Sequence, residues 1–368
     1  MRAYAFFLHG WVASIARAGA LVALGGVAIE LGYRIHSERP VFEFADWRAW
    51  RIEFQTFGDR GEYDPLLGWA PKEWHDSEGY NTIEHGIRRD PHKEAGQALA
   101  GAILAVGGSL TYGGLNVDDD ETWPAQLGRL VGAPVLNAGV PGYGTDQIVL
   151  RAEQLLPLMR PKTLIVGFVG EEIHRAGLSS YGASRPYFAL ESGALKYHPP
   201  RPLIVDDPTM PAWQARVRDI LSYSAVADVA LTLVAPDYWT GTAGQPVFQK
   251  ADNEPVGVTC ALLQRLKRRT DADGIRLLLF MQHGRIVILR KEEPLDDAKK
   301  VTQCATATGI EVIDQFDALR AAAVANPKAL QEFYRRGAMS PKGNRHAAEL
   351  LARAINKATA TSPSTAKP

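Results

Sequence analysis

The chain has 368 residues, 46% of them hydrophobic, enough to bury one large α/β core or two smaller ones. Lys+Arg and Asp+Glu number 41 each, and a formal net charge of zero excludes the basic footprint of a nucleic-acid binder. The two cysteines, Cys260 and Cys304, stand far apart without metal-ligand spacing. This excludes a zinc site and leaves two buried small hydrophobes as the favoured reading, with a single disulfide as the alternative.

From Trp11 to Leu31 the residues are apolar and small except for Ser14, Arg17 and Glu30. Arg17 lies toward the amino-terminal end, where its side chain can reach the headgroups of a membrane. The uninterrupted run from Ala18 to Ile29 would span about 18 Å, so flanking residues must help cross ~30 Å of hydrocarbon. The segment is expected to be a signal anchor, with a cleaved signal peptide as the alternative. Ala16, Gly19, Ala23 and Gly26 recur at spacings of three, four and three, a row of small residues on which another transmembrane helix could pack. With the amino terminus inside, everything after Tyr33 would lie in the periplasm. Arg34 and Arg39 weaken that orientation.

The expected domains are a membrane anchor over 1–36, a juxtamembrane and edge segment over 37–100, an α/β domain over 101–358 and a disordered tail over 359–368. Phe42, Phe44, Trp47, Trp50, Phe54 and Phe57 in the second segment suit packing or an interfacial position. Asp64 to Trp69 and Asn81 to Arg88 are punctuated like turns and edge strands. His85 and His92 have no partner at ligand spacing and read as surface residues.

Ile103-Leu104-Ala105-Val106 reads as a buried strand running into Gly107-Gly108-Ser109, a turn tight enough to lift the serine hydroxyl clear of the sheet edge. Thr122 to Leu130 then reads as a helix with Pro124 in its first turn, Pro134 to Ala138 as a strand, Asp146 to Leu158 as a helix, and Thr163 to Val169 as a buried strand. Pro255 to Arg269 is a predicted helix, Ile275 to Met281 a strand, Val312 to Asp314 the last strand, and Arg345 to Lys357 the last helix. Such alternation predicts a parallel sheet covered on both faces, with Ser109, Gly139 and Glu171 at the carboxyl ends of its strands. Gly177 to Thr209 lacks periodicity and suits a long insertion at the ligand edge or a docking loop.

Gly107-Gly108-Ser109-Leu110-Thr111 followed by Asn137-Ala138-Gly139-Val140-Pro141-Gly142 resembles the first two sequence blocks of the SGNH (GDSL-type) hydrolases. Asp64 to Trp69 upstream narrows the resemblance to bacterial envelope members, and Pro341 to Asn344 extends it toward the end of the chain. The resemblance implies a flavodoxin-like three-layer α/β/α fold, and in active members esterase, lipase or acetyl-transfer chemistry at Ser109. No cofactor or metal is implied.

Serine acyl transfer needs a base, a carboxylate that orients it, and donors for the oxyanion. Through the resemblance, Ser109 and Gly139 match as nucleophile and donor, whereas Glu171 takes the position of the oxyanion asparagine. Arg335 and Ala338 fall where the aspartate and histidine belong. A carboxylate repels a developing oxyanion, and loss of one donor alone costs ~10²–10³ in rate. His174, His283 and His346 read as satisfied polar residues rather than as replacement bases. The expectation is a membrane-anchored periplasmic protein with a vestigial site, a binding or structural subunit among membrane partners, able to take a small-molecule or glycan ligand. The alternatives are an active envelope esterase or O-acetyl hydrolase, or a secreted sugar-binding module.

Overall fold

The computed structural model describes residues 17, 21, 24–36, 60–90, 102–114, 117–200, 211–235, 238, 239 and 248–361, apart from 78, 182, 183, 222, 291, 292, 327 and 336. The chain divides into two compact units. One comprises Met1–Glu53 and Ile204–Gln245, the other Phe54–Leu203 and Pro246–Pro368. This division differs from the sequence-based one, because residues 204–245 group with the amino terminus rather than with the α/β domain.

The larger unit is built on five parallel strands, β1 (Ile103–Gly107), β2 (Val135–Gly139), β3 (Thr163–Val169), β4 (Arg276–Gln282) and β5 (Glu311–Asp314). Their order is β5-β4-β3-β1-β2, the flavodoxin-like arrangement that the resemblance implied. All five residues of β1 are buried, as strands covered on both faces must be, which is why it reads as an unbroken apolar run.

The strands are linked by helices, of which eight matter here: α1 (Ser109–Tyr112), α2 (Trp123–Val131), α3 (Thr145–Met159), α4 (Gly170–Arg175), α5 (Pro255–Ala272), α6 (Asp296–Ala307), α7 (Phe316–Ala325) and α8 (Pro341–Thr361). The two-residue strand period sorts the core into two layers. Leu104, Val106, Leu164, Val166 and Leu279 meet Leu155 of α3, Leu262 of α5 and Val301 of α6. On the other face Ala105, Ile165, Leu278 and Phe280 meet Trp123 and Leu127 of α2, Leu319 of α7 and Leu351 of α8.

Local chemistry sets the ends of α2. Thr122 Oγ1 accepts from Ala125 N–H, Pro124 needs no donor in the first turn, and Gly132 stops the helix at φ +65°. Asn344 ties α8 to α2: its Oδ1 accepts from Trp123 N–H at 2.8 Å, and its amide nitrogen donates to Met339 and Ser340 carbonyls.

Several expectations are corrected. Cys260 of α5 and Cys304 of α6 form a disulfide, so the favoured reading of two separate buried cysteines gives way to its alternative. Gly177 to Thr209, read as lacking periodicity, contains regular strands, and 201–209 lie outside the described residues. Leu178–Tyr181, Tyr187–Glu191 and Ala194–His198 are strands, and the last two form a hairpin through Ser192 and Gly193, both at positive φ. Helix α8 runs to Thr361, three residues into the expected tail, and 362–368 lie outside the described residues.

The smaller unit contains a helix over 24–36 and the helices Ala212–Leu221 and Ala225–Val234. Glu30 joins the first of these to the last. Its carboxylate accepts from Ser224 Oγ at 2.8 Å and from the N–H groups of Ala225 and Val226 at 2.8 and 3.0 Å, capping the last helix. Arg34 donates to Glu30 at 2.6 Å and to the Tyr223 carbonyl at 2.7 Å.

No helix among the described residues is long and apolar enough to cross a membrane. Much of the expected span, including Ala16, Gly19 and Ala23 of the small-residue row, lies outside the described residues, as does most of the aromatic segment between Ser37 and Arg60. Gly26 is described, and its Cα faces open space.

Candidate functional site

Ser109 follows β1 and opens α1, half-buried at the carboxyl edge of the sheet where the glycine turn was expected to place it. The short helix α1 is fixed from below by Arg88, a residue that sequence reasoning passed over. Its guanidinium donates to the Tyr112, Gly79 and Val117 carbonyls, pairs with Asp119 at 2.6 Å, and lies against the rings of Tyr80 and Tyr112. Burial holds the Asp119 carboxyl above its usual value even against this cation.

The Asp64 to Trp69 segment buttresses the second block. Asp64 Oδ1 accepts from the N–H groups of Leu66 and Leu67. Trp69 Nε1 donates to the Pro141 carbonyl, its ring meets Tyr143 edge-on, and Tyr143 Oη donates back to the Trp69 carbonyl. Gln147 Nε2 donates to the Leu67 carbonyl, so the start of α3 is fastened to the same segment.

The Ser109 N–H is taken up by a carboxyl of the protein itself. Glu172 of α4 is 1% exposed; its Oε1 accepts from the Ser109 N–H at 3.2 Å and its Oε2 from the Val169 N–H at 3.0 Å. The Ser109 N–H is the donor that the resemblance assigns to an oxyanion. Burial pushes the Glu172 carboxyl up to about 7, opposed by Arg175, whose Nη1 lies 3.5 Å away, and by the two backbone donors. Gly108 makes this insertion possible, because a Cβ there would stand 1.7 Å from Glu172 Oε1.

Glu171, the residue expected at the third donor position, is exposed, and the buried carboxylate is its neighbour. The sequence contains two adjacent glutamates. Only the phase of the short helix after β3 decides which one turns inward. The Gly139 N–H is also occupied, donating to Asn137 Oδ1 at 3.1 Å.

Arg335 and Ala338 oppose one another in a two-residue hairpin, Tyr334–Arg335 with Ala338–Met339, closed by Gly337 at φ +81°. Arg335 is exposed and Ala338 half-buried, so these positions supply neither base nor orienter. His346 packs its ring on Phe333 at 4.9 Å, and burial lowers its basicity. His174 is more than half exposed, 3.7 Å from Asp297.

His283 is the histidine with the most built environment. It follows β4, is 3% exposed, and its Nε2 meets Asp314 Oδ1 at 2.7 Å, with Phe316 edge-on to the ring and Tyr334 Oη donating to its carbonyl at 2.5 Å. A His–carboxylate pair has the composition of a base with its orienter. However, β4 lies two strands from β1, about 10 Å in a sheet, and the Asp314 bond draws the ring toward β5, the strand farther from Ser109. Among the described residues, no histidine or carboxylate hydrogen-bonds the Ser109 hydroxyl, and none forms a metal-binding cluster.

The strand order, with the serine turn after β1, a glycine turn after β2 and the Glu171–Glu172 turn after β3, is that of a flavodoxin-like doubly wound sheet. Among solved structures the chain is similar to a lipase/acylhydrolase from Enterococcus faecalis, with 14% identity, 70% of this chain and 96% of that one covered, and a TM-score of 0.39. It is also similar to a GDSL-like lipase from Bacteroides thetaiotaomicron, with 13% identity, 70% and 88% covered, and a TM-score of 0.34. An acetyl xylan esterase matches at 12% identity over 69% and 99%, with a TM-score of 0.39. No protein-family model and no curated protein matches the sequence.

Proposed function

We propose that this chain is a membrane-anchored SGNH-fold protein of the bacterial envelope that acts as a binding or structural subunit and not as a hydrolase. The observation that carries the reading is the Glu172 carboxyl seated on the Ser109 N–H, where an acyl-transfer enzyme keeps a free donor for the oxyanion. The absence of a base at Ala338 and of an orienter at Arg335 supports it, since replacing donor, base and orienter together leaves little beyond background. The Cys260–Cys304 disulfide supports an oxidising compartment such as the periplasm. The apolar run from Ala18 to Ile29 supports an inner-membrane anchor whose small-residue row, Ala16 to Gly26, meets helices of partner subunits. The ligand edge beside Ser109 is the place for a small molecule or glycan.

A second reading, an active esterase or O-acetyl hydrolase, is favoured by one observation: Ser109 keeps its half-exposed place on the glycine turn. Treating the full-length protein with a fluorophosphonate separates the two. A non-enzymatic subunit leaves Ser109 unlabelled. Stoichiometric labelling that disappears in Ser109→Ala establishes the hydrolase instead. Purification in mild detergent tests the partner reading, with co-migrating membrane proteins as the expected result.

A further inference from the structure

The smaller unit has the polarity of a lipid-facing structure: Glu30, Arg34 and Asp228 are hydrogen-bonded within it, whereas a row of large apolar side chains is turned outward. Arg34 is fully buried and paired with Glu30, whose remaining acceptor capacity serves the Ser224 hydroxyl and two backbone N–H groups. Asp228 likewise turns to the buried Trp239, accepting from its Nε1 at 2.7 Å. Outside, Trp213, Val217 and Ile220 recur at i, i+4 and i+7 along Ala212–Leu221, a single apolar stripe that is 66% and 64% exposed at its two ends. On Ala225–Val234 the exposed large residues are Val229, Leu233 and Val234, the last two more than three-quarters exposed.

In water, such a surface leaves apolar area unburied while using its polar groups internally. In lipid the same arrangement is favoured, because internal satisfaction of polar groups is what the bilayer demands. At ten residues each, these helices are about 15 Å long, too short to cross and suited to lying in the headgroup and acyl boundary. Charge specifies the lipid. The described acidic side chains of the unit, Glu30 and Asp228, face inward, whereas Arg17 and Arg216 are exposed, with Arg216 bordering the Trp213 stripe.

We propose that the helices Ala212–Leu221 and Ala225–Val234 seat in the interface of a phospholipid bilayer with acidic headgroups. They form a second membrane contact, distinct from the amino-terminal segment and inserted into the chain between two parts of the α/β unit. The inference builds on the membrane-anchored reading but concerns other residues, so the two can fail separately.

The test places an environment-sensitive nitrobenzoxadiazole label on the full chain at Ile220→Cys and, as a second position, Leu233→Cys. Both side chains are exposed, so the replacements remove no packing. Leu24→Cys reports on the amino-terminal segment, and Val324→Cys, 79% exposed in the α/β unit, is the aqueous control. The proteins are reconstituted in phosphatidylethanolamine–phosphatidylglycerol vesicles with and without nitroxide lipids. Lipid nitroxides are expected to quench the labels at 220 and 233 and to leave the one at 324 bright, with quenching at 220 weakened by Arg216→Glu. Labels at 220 and 233 that stay bright while the one at 24 is quenched overturn the proposal and leave the anchor standing. Quenching at 220 and 233 with a bright label at 24 upholds the proposal and removes the anchor.

Discussion

Glu172→Gln removes one negative charge from the Ser109 position and keeps the side chain's size. The wild-type carboxyl ionises at about 7 in the fold against an ordinary 4.5, with burial as the main cause. In the interval between these values the folded chain binds a proton that the unfolded chain has lost, so stability falls as pH rises. The penalty is absent below about pH 4.5, grows through the interval, and levels off above about pH 7. Its ceiling is about 3 kcal/mol, taking ~1.36 kcal/mol for each tenfold change in the ionisation constant. Glutamine cannot ionise and carries no such penalty. Urea unfolding of both proteins should therefore show the variant gaining on wild type by up to about 3 kcal/mol between pH 4 and pH 8.5, with contributions from other groups cancelling in the difference. A wild-type-minus-variant difference that stays flat across this range would refute the placement of Glu172 as a buried carboxyl on two backbone donors.

Gly108→Ala should force the Glu172 carboxyl out of its seat at a cost of about 1–3 kcal/mol, and Glu172→Ala in the same chain should recover most of it, because it removes the atoms that the new methyl strikes. Thermal or urea unfolding of the two single variants and the double variant reads this coupling. Arg88→Ala leaves the buried Asp119 unpaired and three carbonyls without their donor, and should destabilise the fold by ~3–5 kcal/mol in urea unfolding. Arg88→Lys should not restore it, since an ammonium cannot reproduce the planar fork between the rings of Tyr80 and Tyr112. Reducing Cys260–Cys304, which closes a separation of 44 residues, should lower stability by about 4 kcal/mol on the chain-entropy account, visible as a fall in the urea midpoint with reductant.

The local signals in the chain were strong wherever the backbone alone had to obey them. The unbroken apolar run of Ile103 to Val106, the Gly107-Gly108-Ser109 turn, the helix with Pro124 in its first turn, and the Thr163 to Val169 strand all stand where sequence periodicity and turn chemistry put them. The hairpin from Tyr187 to His198 escaped notice although Ser192-Gly193 marks its turn, because its strands alternate too weakly to stand out from a Pro- and Tyr-rich stretch.

What the sequence by itself determined is the order of strands and turns along the chain, and with it the position of Ser109 at the sheet edge. These follow from residue identity and short-range geometry. Tertiary structure alone decided that Glu172 and not Glu171 accepts from the Ser109 N–H, that Arg88 supports the serine turn from 24 residues upstream of Tyr112, and that two distant cysteines meet across α5 and α6. Each depends on which way a side chain points after the elements have packed, and no spacing along the chain encodes that direction. For Glu172 the deciding quantity is a rotation of about 100° per helical residue at the end of β3, which exchanges an exposed carboxylate for a buried one.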